Sequence, residues 1–429
     1  MVPPDIPGLR SNVGLQKASC LMGHGWRIRI ILAGGLALVA LQATGQIDPV
    51  RRELVQFGYN QPMQGHPPLS GYAFYYRNTP NFQWTNVTLR LAVAPVYMDS
   101  EVGLSHALGA NTDLGIGLAG GGFADSYSEI RGGKFVRDES FIGHGAEGSL
   151  SAYHLFNPGA LIPLYGVLRV AGHYATYDEE KHTADNFVLP PDQETLRVRT
   201  GLRWGGHEPL MRTELAMELS AWYEAEFRAH PESYGFSNDR EIEPRVHLFW
   251  GRAMLAYTFE KSKQAFDLSL TVGSSINSDR FSAYRLGGVL PLVSEFPLML
   301  PGYYFQEISA RTFAVLAGDY TFPLGPNQRW AIVTTAGGAV VDYTAGLEQP
   351  GNWHSGVGGG ILYRSPTDSW QLLLGYGYGI EAIRDGDRGA HSIGFLLQFD
   401  LGRTKQRLFD PGENPIRSRG LQRMFQIFR

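Results

Sequence analysis

Two rows of opposite charge mark the stretch where this chain alternates most sharply. Over 196–204, Arg197, Arg199 and Arg203 fall on one side of a period-two pattern, with Leu196, Val198, Leu202 and Trp204 on the other. Over 214–227, Glu214, Glu218, Glu224 and Glu226 share a side, opposite Leu215, Met217, Leu219, Tyr223 and Phe227. If 205–213 is a hairpin connection, Arg203 meets Glu214 and Arg199 meets Glu218. Guanidinium–carboxylate pairs across neighbouring strands would stiffen a polar wall, each contributing about 0.2–1 kcal/mol if wetted. The functional reading of the same rows is a charge-lined constriction that selects permeants. The structural role is the stronger expectation.

Other chemistry is sparse. The 12 histidines are scattered, and no His-Glu-x-x-His, EF-hand, P-loop or Gly-x-Ser-x-Gly pattern occurs. A wall-mounted hydrolase would need a Ser or Thr within hydrogen-bond reach of a His. The single cysteine, Cys20, precedes the apolar leader described below, so thiol and disulfide chemistry are not expected. The expectation is a non-enzymatic protein with no cofactor and no metal. A net charge of −4 gives no nucleic-acid signal.

The elements that would position these rows read as strands. Charged residues are only 18%, against about a quarter in soluble domains, while Gly (53), Tyr (21) and Phe (23) are abundant. Ten-residue alternations recur near 72–77, 86–97, 99–109, 112–121, 141–154, 163–176, 245–258, 265–275, 280–290, 308–322, 328–341, 356–364, 369–380 and 391–401. After residue 46 no apolar run approaches the length of a spanning helix. A closed sheet with one face to lipid and one to a lumen pairs every backbone group in a bilayer. The fold class expected is therefore all-β, a transmembrane antiparallel β-barrel of about 16 strands over 46–402. From 280 onward, connections alternate long and short, as such barrels require. At 228–244 and 259–264 that parity breaks.

Residues 22–45 read as a cleaved signal peptide within a leader spanning 1–45. Arg27 and Arg29 precede an apolar run from Ile30 to Leu41, and Ala43-Thr44-Gly45 supplies small residues for cleavage before Gln46. Met22 is as good a start as Met1. Residues 403–429 form a polar, basic tail. Export would place the barrel in a bacterial outer membrane, in contact with its lipid and possible partners among other envelope proteins.

The C-terminal third resembles the outer-membrane insertase and surface-antigen superfamily, the BamA-like and TamA-like barrels. The residues that carry the likeness are Leu286-Gly287-Gly288, Pro301-Gly302-Tyr303, Asp319-Tyr320-Thr321-Phe322-Pro323-Leu324, Gly356 to Gly360, Ser365-Pro366 and Leu374-Gly375-Tyr376-Gly377-Tyr378. The resemblance implies a loop, with Gly302 and Tyr303 at its motif, that enters the lumen. It also implies an Arg just before that motif, paired with an Asp on the wall. Here Pro301 stands for the Arg and Thr335 for the Asp, so that lock is expected to be absent or rebuilt. No room remains after Gln46 for the family's periplasmic modules. Two roles follow as expectations: a barrel of the surface-antigen type in membrane-protein or lipid handling, or as an accessory of a larger complex; alternatively, a passive porin-like channel with a charged lumen.

Overall fold

The structure is a computed structural model in which residues 51–68, 70–206, 215–289 and 298–402 are described. The leader, the basic tail, Cys20 and Glu214 lie outside these residues. Sixteen strands close an antiparallel barrel. In chain order the first eight wall strands are β1 (Arg52–Pro62), β2 (Gly71–Thr79), β3 (Val87–Ala94), β4 (Tyr97–Leu104), β5 (Thr112–Gly121), β7 (Lys134–Leu155), β8 (Leu164–Glu179) and β10 (Gln193–Gly205). The second eight are β11 (Leu215–Arg228), β13 (Arg245–Thr258), β14 (Ala265–Ile276), β16 (Ile308–Leu324), β17 (Trp330–Tyr343), β18 (Trp353–Arg364), β19 (Trp370–Arg384) and β20 (Asp387–Asp400). Four short strands decorate the loops: β6 (Tyr127–Arg131), β9 (Phe187–Val188), β12 (Gly235–Phe236) and β15 (Tyr284–Leu286). The last strand pairs with the first, from Leu54 opposite Asp400 to Pro62 opposite Ser392, which removes any free edge.

The count of sixteen holds, but one expected strand is not part of the wall and one wall strand was not expected. Of the expected segment 280–290, the described residues 280–289 are not wall; Tyr284–Leu286 pairs as a short strip against β16 inside a long loop. Segment 52–62, not read as a strand, is β1. The cause is visible in the pattern. Residues 282–289 are buried apart from half-buried Arg285, so their apolar content mimics a strand, whereas β1 carries Gln56, Asn60 and Gln61 and lacks a sharp alternation. Once 280–290 is returned to the loop, 229–244 falls on the long-connection rim and 259–264 on the short-turn rim, and the parity break disappears.

Burial follows the lipid-and-lumen reading. Along β10, Leu196, Leu202 and Trp204 are exposed while Arg197, Arg199 and Arg203 are buried. A protein that hides arginine and shows leucine makes sense only if the outer surface meets hydrocarbon. Aromatic rings gather at the short-turn rim, where Trp330 packs on Tyr363, Tyr363 on Trp370 and Trp370 on Phe399, with Tyr257, Phe259 and Phe266 forming a second group. Such girdles sit at a bilayer's interfaces because aromatic rings are amphipathic. Among the described residues, no helix is long and apolar enough to cross a membrane.

Candidate functional site

The lumen is where the chemistry-bearing residues converge. Its wall from β3 to β13 carries a continuous set of ion pairs. Arg90 lies 3.7 Å from Asp99 and 3.6 Å from Glu101. Tyr153 donates to Glu101 at 3.0 Å. Arg169 and Arg197 share Glu147, at 2.9 and 2.7 Å. Arg197 continues to Glu226, Glu226 to Arg228 at 2.7 Å, and Arg228 to Asp279, which belongs to the loop 277–307. Farther toward the short-turn rim, Arg252 grips both Glu218 oxygens, at 2.7 and 2.8 Å, and Arg203 stands 3.6 Å from the same carboxylate.

Of the expected ladder, Arg197, Arg199, Arg203 and Glu218 stand in ion pairs on the lumen wall but in another register, and Glu214 lies outside the described residues. Arg199 pairs with Glu224, not Glu218, and Arg203 is opposite Ser220 and close to Glu218. Glycine and tryptophan set the true register. Gly201 faces Trp222, and a Cβ at Gly201 would lie 2.3 Å from that ring. The indole therefore occupies the space a side chain would need. Trp222 stacks on Trp250 at 6.3 Å, and Arg203 and Arg199 lie over the two rings at 5.2 and 5.3 Å. A tight hairpin assumption could not see this, because the selecting contact is aromatic rather than ionic. Nor are these pairs wetted: the side chains of Arg203 and Glu218 are 1% and 0% exposed. They therefore fall under the energetics of buried pairs, where breaking one is far more costly than for a surface pair.

The opposite wall, from β16 to β20, is richer in small and apolar residues, and the described parts of loop 277–307, residues 277–289 and 298–307, fill the space it leaves. Tyr284, Leu286, Leu300, Tyr303 and Ile308 are almost completely buried. They form one cluster with Trp222, Val246, Leu248 and Trp250 on one side of the barrel and Ala382 and Ala390 on the other. Val289 and Phe305 of the same loop join a second cluster with Phe74, Tyr76, Ala92 and Tyr97 of β2–β4. The loop therefore touches the wall nearly all round.

The positions singled out by the resemblance build this loop. Gly287 donates to the Leu298 carbonyl at 2.9 Å and Gly288 accepts from Leu300 at 3.1 Å, so the glycine pair starts a strip that doubles back on itself. Gly302 lies flat on β19; a Cβ there would be 1.8 Å from the Gly379 nitrogen. Pro301 contacts β18, where a Cβ at Gly356 would be 2.2 Å from its carbonyl oxygen. Tyr303 reaches His354 Nδ1 at 3.1 Å. Asp319 faces Asp267 on β14 and Thr335 on β17. Pro301 and Thr335 carry no charges to pair, and an ion pair elsewhere ties the loop to the wall. Arg384, on the wall, binds Glu307, on the loop, through two bonds of 2.9 and 2.6 Å. Sequence reading missed this pair, since no fixed spacing connects residues on a loop and a distant strand.

Above the lumen, the loops at the long-connection rim pack into a cap. Tyr127, Phe141, Phe187, Tyr234 and Ile242 form its core, with Phe281 against them. Arg240 and Arg131 pair with Glu129 and Glu139 at its edge. Burial raises the Tyr234 hydroxyl well above its ordinary titration range, so it stays protonated in this cap.

A threonine–histidine pair stands on the wall. Thr112 Oγ1 and His154 Nδ1 are 2.8 Å apart on the outer face at the short-turn rim, with Phe156 packed edge-on against the imidazole. A nucleophile pair also needs a group that orients the imidazole and donors for a developing oxyanion. The geometry here amounts to a hydrogen bond beside an aromatic ring. Among the described residues, no group of three or more His, Cys, Asp or Glu is placed to hold a metal ion.

No family model matches the sequence, and no curated protein matches it. Solved structures do. CdiB from Acinetobacter baumannii aligns over 82% of this chain with a TM-score of 0.53 at 12% identity, and CdiB from Escherichia coli over 82% with 0.52 at 11%. BamA from Haemophilus ducreyi, lacking POTRA domains 1–3, aligns over 81% with 0.48 at 11%. The chain spans 60% and 64% of the two CdiB chains. The barrel thus shares its fold with the two CdiB barrels.

Proposed function

We propose that this chain is an exported outer-membrane barrel that rests with its lumen closed. It serves in membrane-protein or lipid handling, or as an accessory of a larger envelope complex, rather than as an open pore. The observation that carries this reading is loop 277–307, packed against the inner wall on both sides of the barrel. A water-filled channel would leave that loop at the rim and its Leu and Tyr side chains wet. The long-connection rim would face outward and the short-turn rim the periplasm, as in barrels of this kind. Export through the signal at 22–45 is part of the proposal, as are contacts with outer-membrane lipid and other envelope proteins. No catalytic role is assigned to any residue.

The alternative, a passive channel selected by its charged arc, makes the opposite prediction in planar bilayers. Purified protein should give at most brief, small openings. A steady, large conductance in every insertion would overturn the closed reading and favour the channel.

A further inference from the structure

We propose that Arg384 is the pivot of a latch through which the β6–β7 hairpin holds the lumen-filling loop in place, so that lifting the hairpin tip releases the loop. The proposal rests on the closed-lumen reading above.

Four segments meet at this one side chain. Arg384 ends β19 above the rim, 4% exposed, and its two-pronged bond to Glu307 ties down the last turn of the loop. The same carboxylate accepts the Tyr304 backbone N–H at 2.7 Å, closing that turn on itself. The Tyr304 ring lies 3.6 Å from the guanidinium, and its hydroxyl donates to the Gln64 carbonyl at 3.0 Å, joining the β1–β2 connection. The fourth segment comes from across the mouth. Gly133, at the turn of the β6–β7 hairpin, abuts β19 so closely that a Cβ would lie 1.8 Å from the Ile383 carbonyl oxygen and 2.8 Å from Arg384 Nη1. Its φ of +74° suits glycine alone. β7 is the sixth wall strand and β19 the fifteenth, so the hairpin crosses the opening to reach this point.

The hairpin also grips the other root of the loop. Glu129 pairs with Arg280, and Arg285 lies 4.8 Å from the Tyr127 ring and donates to the Ser128 carbonyl. One hairpin therefore covers both ends of the segment 277–307. The physical basis of the coupling is water. A guanidinium–carboxylate pair is held far more strongly when shielded than when solvated. With the Gly133 turn in place, Arg384 and Glu307 are shielded; with it lifted, solvent reaches them and the clamp on the loop weakens.

The test uses the full chain with Cys20→Ser and Leu300→Cys, since Cys20 is the only native thiol. Refolded into lipid vesicles, position 300 is fully buried against the inner wall beside Gly337. A bulky water-soluble maleimide added to this parent should react slowly. Gly133→Val, which alters only the hairpin tip, should speed labelling at least tenfold. Arg384→Gln should do the same, and Lys134→Ala should leave the rate unchanged. Folding of each variant is checked by heat-modifiable migration on gels, and if Arg384→Gln fails to fold, Gly133→Val decides alone. A Gly133→Val protein that labels at the parent rate overturns the latch and leaves the closed lumen standing. A parent that labels fast and conducts steadily overturns both.

Discussion

From β3 to β13 the wall faces inward with arginine and glutamate, whereas from β16 to β20 it faces inward mainly with alanine, valine, leucine and glycine. The first arc fills its share of the lumen with its own long side chains. The second leaves a hollow, and a 31-residue connection between β14 and β16 folds into it. Charge needs a partner in a low dielectric, so the first arc is specific in its pairing. Apolar packing needs only matched volume, so the second arc is specific in shape. The two meet at Trp222 and Trp250, which belong to the apolar cluster and lie under Arg203 and Arg199.

If this contrast is right, the arcs should respond differently to truncation. Glu218→Ala leaves Arg203 and Arg252 facing each other without their shared carboxylate. It should cost about 3–5 kcal/mol, read by denaturant unfolding in detergent micelles. Replacing Glu218 and Arg252 together by Leu and Met should recover most of that loss; if it does not, the pairing matters for more than charge balance. In the apolar arc, Leu300→Ala should cost about 2–5 kcal/mol through the cavity it leaves, and should also raise bilayer conductance. A drop in stability with silent conductance would mean that the loop is not what closes the lumen.

The outer face gives a sharper control. Leu150→Arg, amid Ile116 and Val170 on neighbouring strands, should cost about 2–4 kcal/mol if that face meets hydrocarbon, measured by folding into vesicles. A neutral result would place water there and reverse the inside and outside of the whole barrel. The smallest effect is expected at the rim. Arg311 and Asp342 pair while roughly two-fifths and one-half exposed, and Asp342→Ala should change stability by less than about 1 kcal/mol.

Much of this was legible in the sequence because a barrel wall obeys a local rule. The alternation along 196–204 and 391–401 assigns lipid and lumen without knowledge of any partner, and burial agrees along both, with Leu396 the large apolar side chain that 391–401 turns inward. It is buried with Leu362 and Leu373 because it belongs to the apolar arc. What stayed hidden depends on distant pairs. The Arg199–Glu224 register needed Trp222 opposite Gly201, the Glu307–Arg384 clamp joins residues 77 apart, and the loop strip at 284–286 imitates a strand because it too is buried among apolar groups. Local periodicity carries no information about which element lies inside another.

The seam between β1 and β20 has a kinetic consequence. Its partners stand more than three hundred positions apart, Leu54 with Asp400, so the chain must be made almost to its end before the ring can shut. Contacts of such long range slow assembly, because the entropy of bringing the ends together is lost before any bond repays it. Until then the first strand presents a bare line of amides and carbonyls. Its survival through that interval, rather than the strength of the finished wall, sets how much of the polypeptide reaches the native state.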